Sequence, residues 1–148
     1  MAIGEGDEIR VPIASDADTV IARQAGRDAA LRLGFSRTDA TFVATAISEI
    51  ARNITVHAGE GVITVAGLSE HGRNGLIVTA RDEGPGIPDV SAVLRDSYIS
   101  EIGLGMGLWG ATRLMDEIGV SSEPGKGTTV TMKKWLGFDE VGSLLGRE

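Results

Sequence analysis

Between Gly84 and Gly127 the chain cannot run as one regular element. Glycine interrupts it in Asp82-Glu83-Gly84-Pro85-Gly86, in Gly103-Leu104-Gly105-Met106-Gly107 and in Gly125-Lys126-Gly127. A glycine inside a helix or strand costs about 0.5–1 kcal/mol relative to alanine. Such clusters therefore mark places where the backbone turns sharply or comes close to something. The chain holds 21 glycines in 148 residues, about twice the usual ~7% share. They are not spread as a flexible linker, because apolar periodic segments separate them. The fold must consist of short strands and helices joined by tight glycine turns.

The segments between the turns can be read from their periodicity. Residues 9–13 predict a first strand. Residues 18–33 predict a helix with Ile21, Ala25, Ala29 and Leu33 on one face and Gly34 as its stop. Ser36 opens a second helix, with Asp39 three positions on as a variant of the capping box. On it Val43, Ile47, Ile50 and Ile54 make an apolar stripe. At about 100° per residue, Glu49, Asn53 and His57 form a polar row along the edge of that stripe, with Gly59 ending the helix. Residues 62–68 and 76–81 alternate as two strands of a hairpin turning at 71–75. Residues 87–102 predict a loop with one helical turn near 91–95, and residues 107–117 a helix bearing Leu108, Ala111, Met115 and Ile118. Residues 120–123 and 128–135 close the chain as a hairpin. Strands meeting through tight turns predict an α+β two-layer sandwich, a mixed and mostly antiparallel sheet with helices on one face. One domain covering 1–148 is expected, with a mobile leader at 1–8 and a loosely attached tail at 137–148.

Charge and composition remove several function classes. The net charge of −7 opposes a strong basic field, so neither nucleic acid nor an anionic membrane is an expected partner. With no cysteine, disulfides, thiolate chemistry and Cys-ligated zinc are excluded. No apolar stretch approaches 18 residues and no charged-then-apolar leader is present, which predicts a cytoplasmic protein.

Four elements could carry chemistry. Asp82, at a strand end before Gly84 and Gly86, can accept a hydrogen bond from an exocyclic amine of a flat ligand; alone, the segment is equally a rigid turn. Gly103, Leu104, Gly105, Met106, Gly107 and Leu108 run straight into a helix, where free N–H groups suit phosphate. No Gly-Lys-Ser/Thr follows, so this is not a Walker A loop, and no strand leads directly into it as a dinucleotide fingerprint requires. Glu49 and Asn53 lie one turn apart. Asn53 could hold Mg²⁺ through its carbonyl and Glu49 could take a proton from an attacking hydroxyl, although such a pair also serves simply as helix surface. Thr128, after Gly125-Lys126-Gly127, could close a pocket floor or merely follow a hairpin turn. His57 reads as helix-end capping and His71 as a solvated turn residue.

Taken in order, Glu-x-x-x-Asn, Asp-x-Gly-x-Gly, Gly-x-Gly-x-Gly and Gly-Thr-Thr resemble the N, G1, G2 and G3 boxes of the GHKL superfamily, whose members share the Bergerat-type ATPase fold. The resemblance spans 9–135. It implies ATP and Mg²⁺ as cofactors, with Asp82 on the adenine amine and Gly84, Gly86 and Thr128 shaping that pocket. It further implies that Gly103, Leu104, Gly105, Met106, Gly107 and Leu108 meet the phosphates, that Asn53 is the Mg²⁺ ligand and that Glu49 is the general base. The cation nearest the γ-phosphate stays open among Arg52, Arg95 and Lys126. Only 16 residues separate Gly86 from Gly103, and no helical phosphoacceptor hairpin is evident. In both respects the chain resembles the small bacterial switch-protein serine/threonine kinases.

Within that group, the run from Gly103 to Glu117, Pro124-Gly125-Lys126-Gly127-Thr128-Thr129-Val130 and Lys134-Trp135 look like the stressosome kinases. Their substrates are STAS-domain proteins, and their released form activates a serine phosphatase of the PP2C type. Anti-sigma-factor kinases share the boxes but usually carry a basic residue before the Gly-Met-Gly step, where this chain has Gly103, Leu104 and Gly105. Three outputs follow: a protein kinase acting on a STAS partner, an anti-sigma factor that blocks a sigma subunit, and a module using ATP occupancy only as a switch. An intact Glu49 disfavours the last.

Overall fold

The computed structural model describes residues 8–86 and 107–137. In chain order the elements are β1 (Glu8–Ile13), α1 (Asp16–Leu33), α2 (Arg37–His57), β2 (Gly61–Glu70), β3 (Arg73–Asp82), α3 (Gly107–Leu114), β4 (Glu117–Glu123) and β5 (Gly127–Trp135). The loop with one helical turn expected at 87–102, and residues 103–106, lie outside the described residues.

The five strands form one sheet in the order β1-β2-β3-β5-β4. All four pairings are antiparallel, so the sheet is more uniform than the mixed one expected. β5 inserts between β3 and β4, which keeps those two parallel strands from touching. Alternation assigns the faces. Ile13, Ile63, Val65, Leu76, Val78, Val130 and Met132 are buried with the helices in one core, while Thr64, Thr79 and Thr131, aligned across β2, β3 and β5, are only half-buried on the other face.

The caps set the helix ends. Ser15 Oγ accepts from Asp18 N at 3.3 Å, and Ser36 Oγ accepts from Asp39 N at 3.1 Å, satisfying donors that a helix start leaves free. Gly34 ends α1 in the left-handed region at φ 103° and donates to Ala30 O and Leu31 O. The stripe expected on α2 is in place, with Val43, Ile47, Ile50 and Ile54 all buried.

That of α1 is not. Ala22, Gly26, Ala29 and Ala30 are buried, whereas Ile21 is 56% exposed. The buried face is rotated by about one residue, because α1 approaches α2 closely enough that a Cβ on Gly26 would run into the Ile47 side chain. Small residues permit that approach, and hydrophobicity alone does not reveal it. Ile47 is fully buried at this contact. Ile47→Ala is expected to cost about 2–5 kcal/mol, the range for opening a core cavity, seen as a thermal midpoint lowered by roughly 10 °C.

Two further boundaries differ. The β2–β3 hairpin extends past its apolar segments through the polar pairs Ser69↔Asn74 and Glu70↔Arg73. It turns on only two residues, His71 (φ 53°) and Gly72 (φ 79°), both at positive φ as the twist of a two-residue hairpin requires. The third helix ends at Leu114, and Glu117 already belongs to β4. β5 captures the chain there: Asp116 N donates to Lys133 O at 3.0 Å, and Trp135 N donates to Asp116 Oδ2 at 2.7 Å. Ile118 then pairs with Met132 as a strand residue.

Candidate functional site

Asp82 is the last residue of β3 and stands in register with Gly61 on one side and Thr128 on the other. Thr128 in turn faces Ser122 of β4. One row on the helix side of the sheet therefore reads Gly61, Asp82, Thr128, Ser122. Gly61 lets β2 lie close to β3 and α2 at this point, since a Cβ there would come within 2.5 Å of Arg81 O, 3.0 Å of Ile54 Cγ2 and 3.2 Å of Asp82 Cβ.

Asp82 Oδ1 accepts from Gly84 N at 2.9 Å, an Asx turn that redirects the chain at the strand end. Oδ2 has no hydrogen-bond partner among the described residues. The turn is held from two sides. Gly84 lies against the C-terminal end of α2, where a Cβ would come within 2.6 Å of Ala58 Cβ. Gly125 N donates to Pro85 O at 2.8 Å, tying the turn to the β4–β5 hairpin. Gly86 sits at φ 82°, a conformation that L side chains rarely adopt. Thr128 is almost buried, and its Oγ1 lies 2.9 Å from Ser122 Oγ, which also donates to Gly127 O at 3.1 Å. Ser122 was not anticipated from the sequence. Its signal was available in the alternation of β4, which puts Ser122 opposite Thr128.

Glu49 and Asn53 are half-buried on α2, whereas His57, the third member of the expected row, is exposed at the helix end. At about 1.5 Å rise per residue, Asn53 lies roughly 7.5 Å and Glu49 roughly 13.5 Å along the axis from Ala58. The contact between Ala58 and Gly84 thus fixes the distance of both from the Asp82 turn. α3 packs on α2 with Gly110 and Ala111 buried, and its N-terminus opens at Gly107. Gly103, Leu104, Gly105 and Met106 lie outside the described residues, and Leu108 is described only as helix backbone.

The candidate cations divide in the same way. Arg52 is exposed on α2. Lys126 pairs with Glu123 at 3.4 Å on an open turn. Arg95 lies outside the described residues. His71 is exposed in its turn, as expected. No cluster of three His, Cys, Asp or Glu side chains occurs among the described residues. A groove of about 860 Å³ is lined by Arg10, Val62, Thr64, Thr79 and Arg81 of the opposite face, and also by Ala58 and by Gly61 and Asp82 of the row.

A carboxylate at a strand end, a clamped glycine turn and an Asn–Glu pair on the adjoining helix make one constellation. The family description of the histidine kinase-like ATPase domain matches residues 13–134. The chain belongs to this family. Its fold is accordingly the α+β GHKL ATPase fold. It is 45% identical over 130 residues to the serine/threonine-protein kinase RsbT of Bacillus subtilis strain 168, covering 88% of this chain and 98% of that protein. It is also 35% identical over 104 residues to an anti-sigma F factor of Thermoanaerobacter sp. strain X514, covering 66% and 71% respectively. An anti-sigma F factor of Clostridium acetobutylicum is 37% identical over 98 residues, covering 62% and 67%.

Proposed function

We propose that the protein is an ATP-dependent serine/threonine kinase of a bacterial partner switch, phosphorylating STAS-domain proteins of a stressosome and, once released, activating a serine phosphatase of the PP2C type. The observation that carries the nucleotide reading is the Asp82 carboxylate: one oxygen is committed to Gly84 N, and the other has no partner among the described residues. That oxygen suits the amine of adenine. Gly84 and Gly86 keep the turn in place, and Thr128, tied to Ser122, supports the pocket beside it.

The residues also fit Mg²⁺. A single side-chain oxygen from Asn53 is a sufficient protein contribution, since Mg²⁺ usually keeps several waters and takes the rest of its shell from phosphate. Bound there, it would supply charge neutralisation across the β- and γ-phosphates. Gly103, Leu104, Gly105, Met106, Gly107 and Leu108 would offer backbone N–H groups to those phosphates at the start of α3. Glu49 would accept the proton of the acceptor hydroxyl. Phosphoryl transfer needs mainly position and charge stabilisation from a protein, and these residues can provide both. Length of similarity favours the kinase reading: the resemblance to RsbT covers nearly all of both chains.

A second reading, an anti-sigma factor that binds and blocks a sigma subunit, is favoured by the identities of 35–37% to anti-sigma F factors. Gly103, Leu104 and Gly105, where those proteins usually carry a basic residue, count against it. The proposed setting is the cytoplasm; among the described residues no helix is long and apolar enough to cross a membrane.

Incubation with γ-labelled ATP and Mg²⁺ beside STAS-domain and sigma candidates encoded nearby separates these readings. Label appearing on a serine or threonine of a STAS protein is the expected result. Stable capture and inhibition of a sigma factor would instead establish the second reading.

A further inference from the structure

Lys134 is a lysine buried on the helix side of the sheet, only 8% exposed. Its Nζ donates to Leu114 O at 3.0 Å, the last carbonyl of α3. Asp39 Oδ1 and Asp116 Oδ1 each lie 4.0 Å from it, and the Phe42 ring centroid lies 5.7 Å away. One ammonium therefore joins β5, the first turn of α2 and the C-terminal end of α3. These elements carry Thr128, the Glu49–Asn53 pair and the helix entry at Gly107.

We propose that Lys134 is a positioning residue for the phosphate end of the site, acting through α3. This rests on the reading of the α3 N-terminus as the phosphate-binding end. α3 is eight residues long, far below the roughly 12–15 residues at which a helix begins to persist alone. Its direction is set by what it packs against. Leu114 packs against the core and Met115 is buried just beyond it, so the described apolar anchors and the Lys134 tether hold the same, C-terminal, end of the helix. Cation and carbonyl also suit each other there, because a helix C-terminus carries partial negative charge.

The helix is about 12 Å long, comparable with the roughly 15 Å along α2 from Asp39 to Glu49. Running back along α2 from Asp39, a rod of that length would have its open end near the level of Glu49. Loss of the tether lets that end swing while β3, β5 and the adenine side stay fixed.

The test compares ATP–Mg²⁺ with adenosine, which lacks phosphates, by titration calorimetry on the full chain. Lys134→Met keeps an unbranched stem of similar volume and removes the ammonium. It is expected to weaken ATP–Mg²⁺ by about tenfold or more, a loss on the scale of one hydrogen bond to a charged group, and to leave adenosine affinity unchanged. Lys134→Arg, which keeps a cation able to reach a carbonyl, is expected to restore most of the loss. A general loosening of the fold would lower both affinities together, and that result overturns the proposal. So does an unchanged affinity for ATP in Lys134→Met. Should Lys134→Met not fold, Asp39→Asn carries the test through the same ratio: selective weakening of ATP supports the role, and equal effects on both ligands, or none, overturn it. If the unmodified chain binds neither ligand, the nucleotide reading itself fails and the proposal falls with it.

Discussion

Glu49→Gln is expected to reduce phosphoryl transfer by about 10²–10⁴-fold, the usual worth of a positioned general base, while leaving ATP–Mg²⁺ affinity nearly unchanged. The exchange conserves shape on a half-buried helix face and replaces the carboxylate by a neutral amide that cannot take up the proton. Glu49 is one turn from Asn53, about 6 Å along the axis, so it lies beside the proposed metal ligand without duplicating it. Single-turnover transfer from γ-labelled ATP to a STAS-domain acceptor, measured with a parallel binding titration, reads both quantities. Normal transfer with normal binding would remove Glu49 from the mechanism. Loss of both together would make it a structural residue of α2. Neither result would disturb the assignment of the family, which rests on similarity along 13–134.

Periodicity made much of this fold legible. The α2 stripe and its Ser36 start follow from local rules, because cap chemistry and burial on that helix point the same way. The strand pattern was equally clear wherever one face meets the core. What sequence reading missed depended on neighbours far away in the chain. The buried face of α1 is set by close approach to α2 at Gly26, which leaves Val20 and Ile21 more than half exposed. The end of α3 is set by backbone and side-chain bonds from β5, although the preceding residues would continue a helix. The polar tips of β2 and β3 pair with each other without any apolar alternation to announce them.

The candidate site was legible in a different way. Its residues were found as an ordered set of boxes, not by any geometric rule, and the fold accounts for their spacing. Gly84 is small because α2 ends against it at Ala58, and Pro85 lies in a turn bonded to Gly125 N. Two boxes separated by nearly forty residues are thereby one physical object, a turn clamped to a hairpin. Ser122 belongs to that object and no box contains it. Lys134 is similar: it stood out beside Trp135 as part of a resemblance, and only the tertiary contacts with Leu114, Asp39 and Asp116 give it a physical role.

Asp82→Asn separates ligand recognition from the turn that carries it. An asparagine side-chain oxygen can still accept from Gly84 N, so the Asx turn and the clamp to Ala58 and Gly125 should persist, with the thermal midpoint of the ligand-free protein nearly unchanged. The other oxygen becomes an amide NH₂. Opposite the adenine amine it places donor against donor, and a hydrogen bond to a charged group worth about 1.5–3 kcal/mol is lost. ATP affinity should therefore fall by roughly 10- to 150-fold. Guanine provides the internal control, because it presents an acceptor oxygen where adenine presents its amine. The same substitution should narrow the preference for ATP over GTP by weakening the first without penalising the second. Titration of both nucleotides against both proteins measures this directly. An equal fall for ATP and GTP would mean that Asp82 supports the pocket without reading the base, and the adenine assignment would then have to move elsewhere along the row between Gly61 and Ser122.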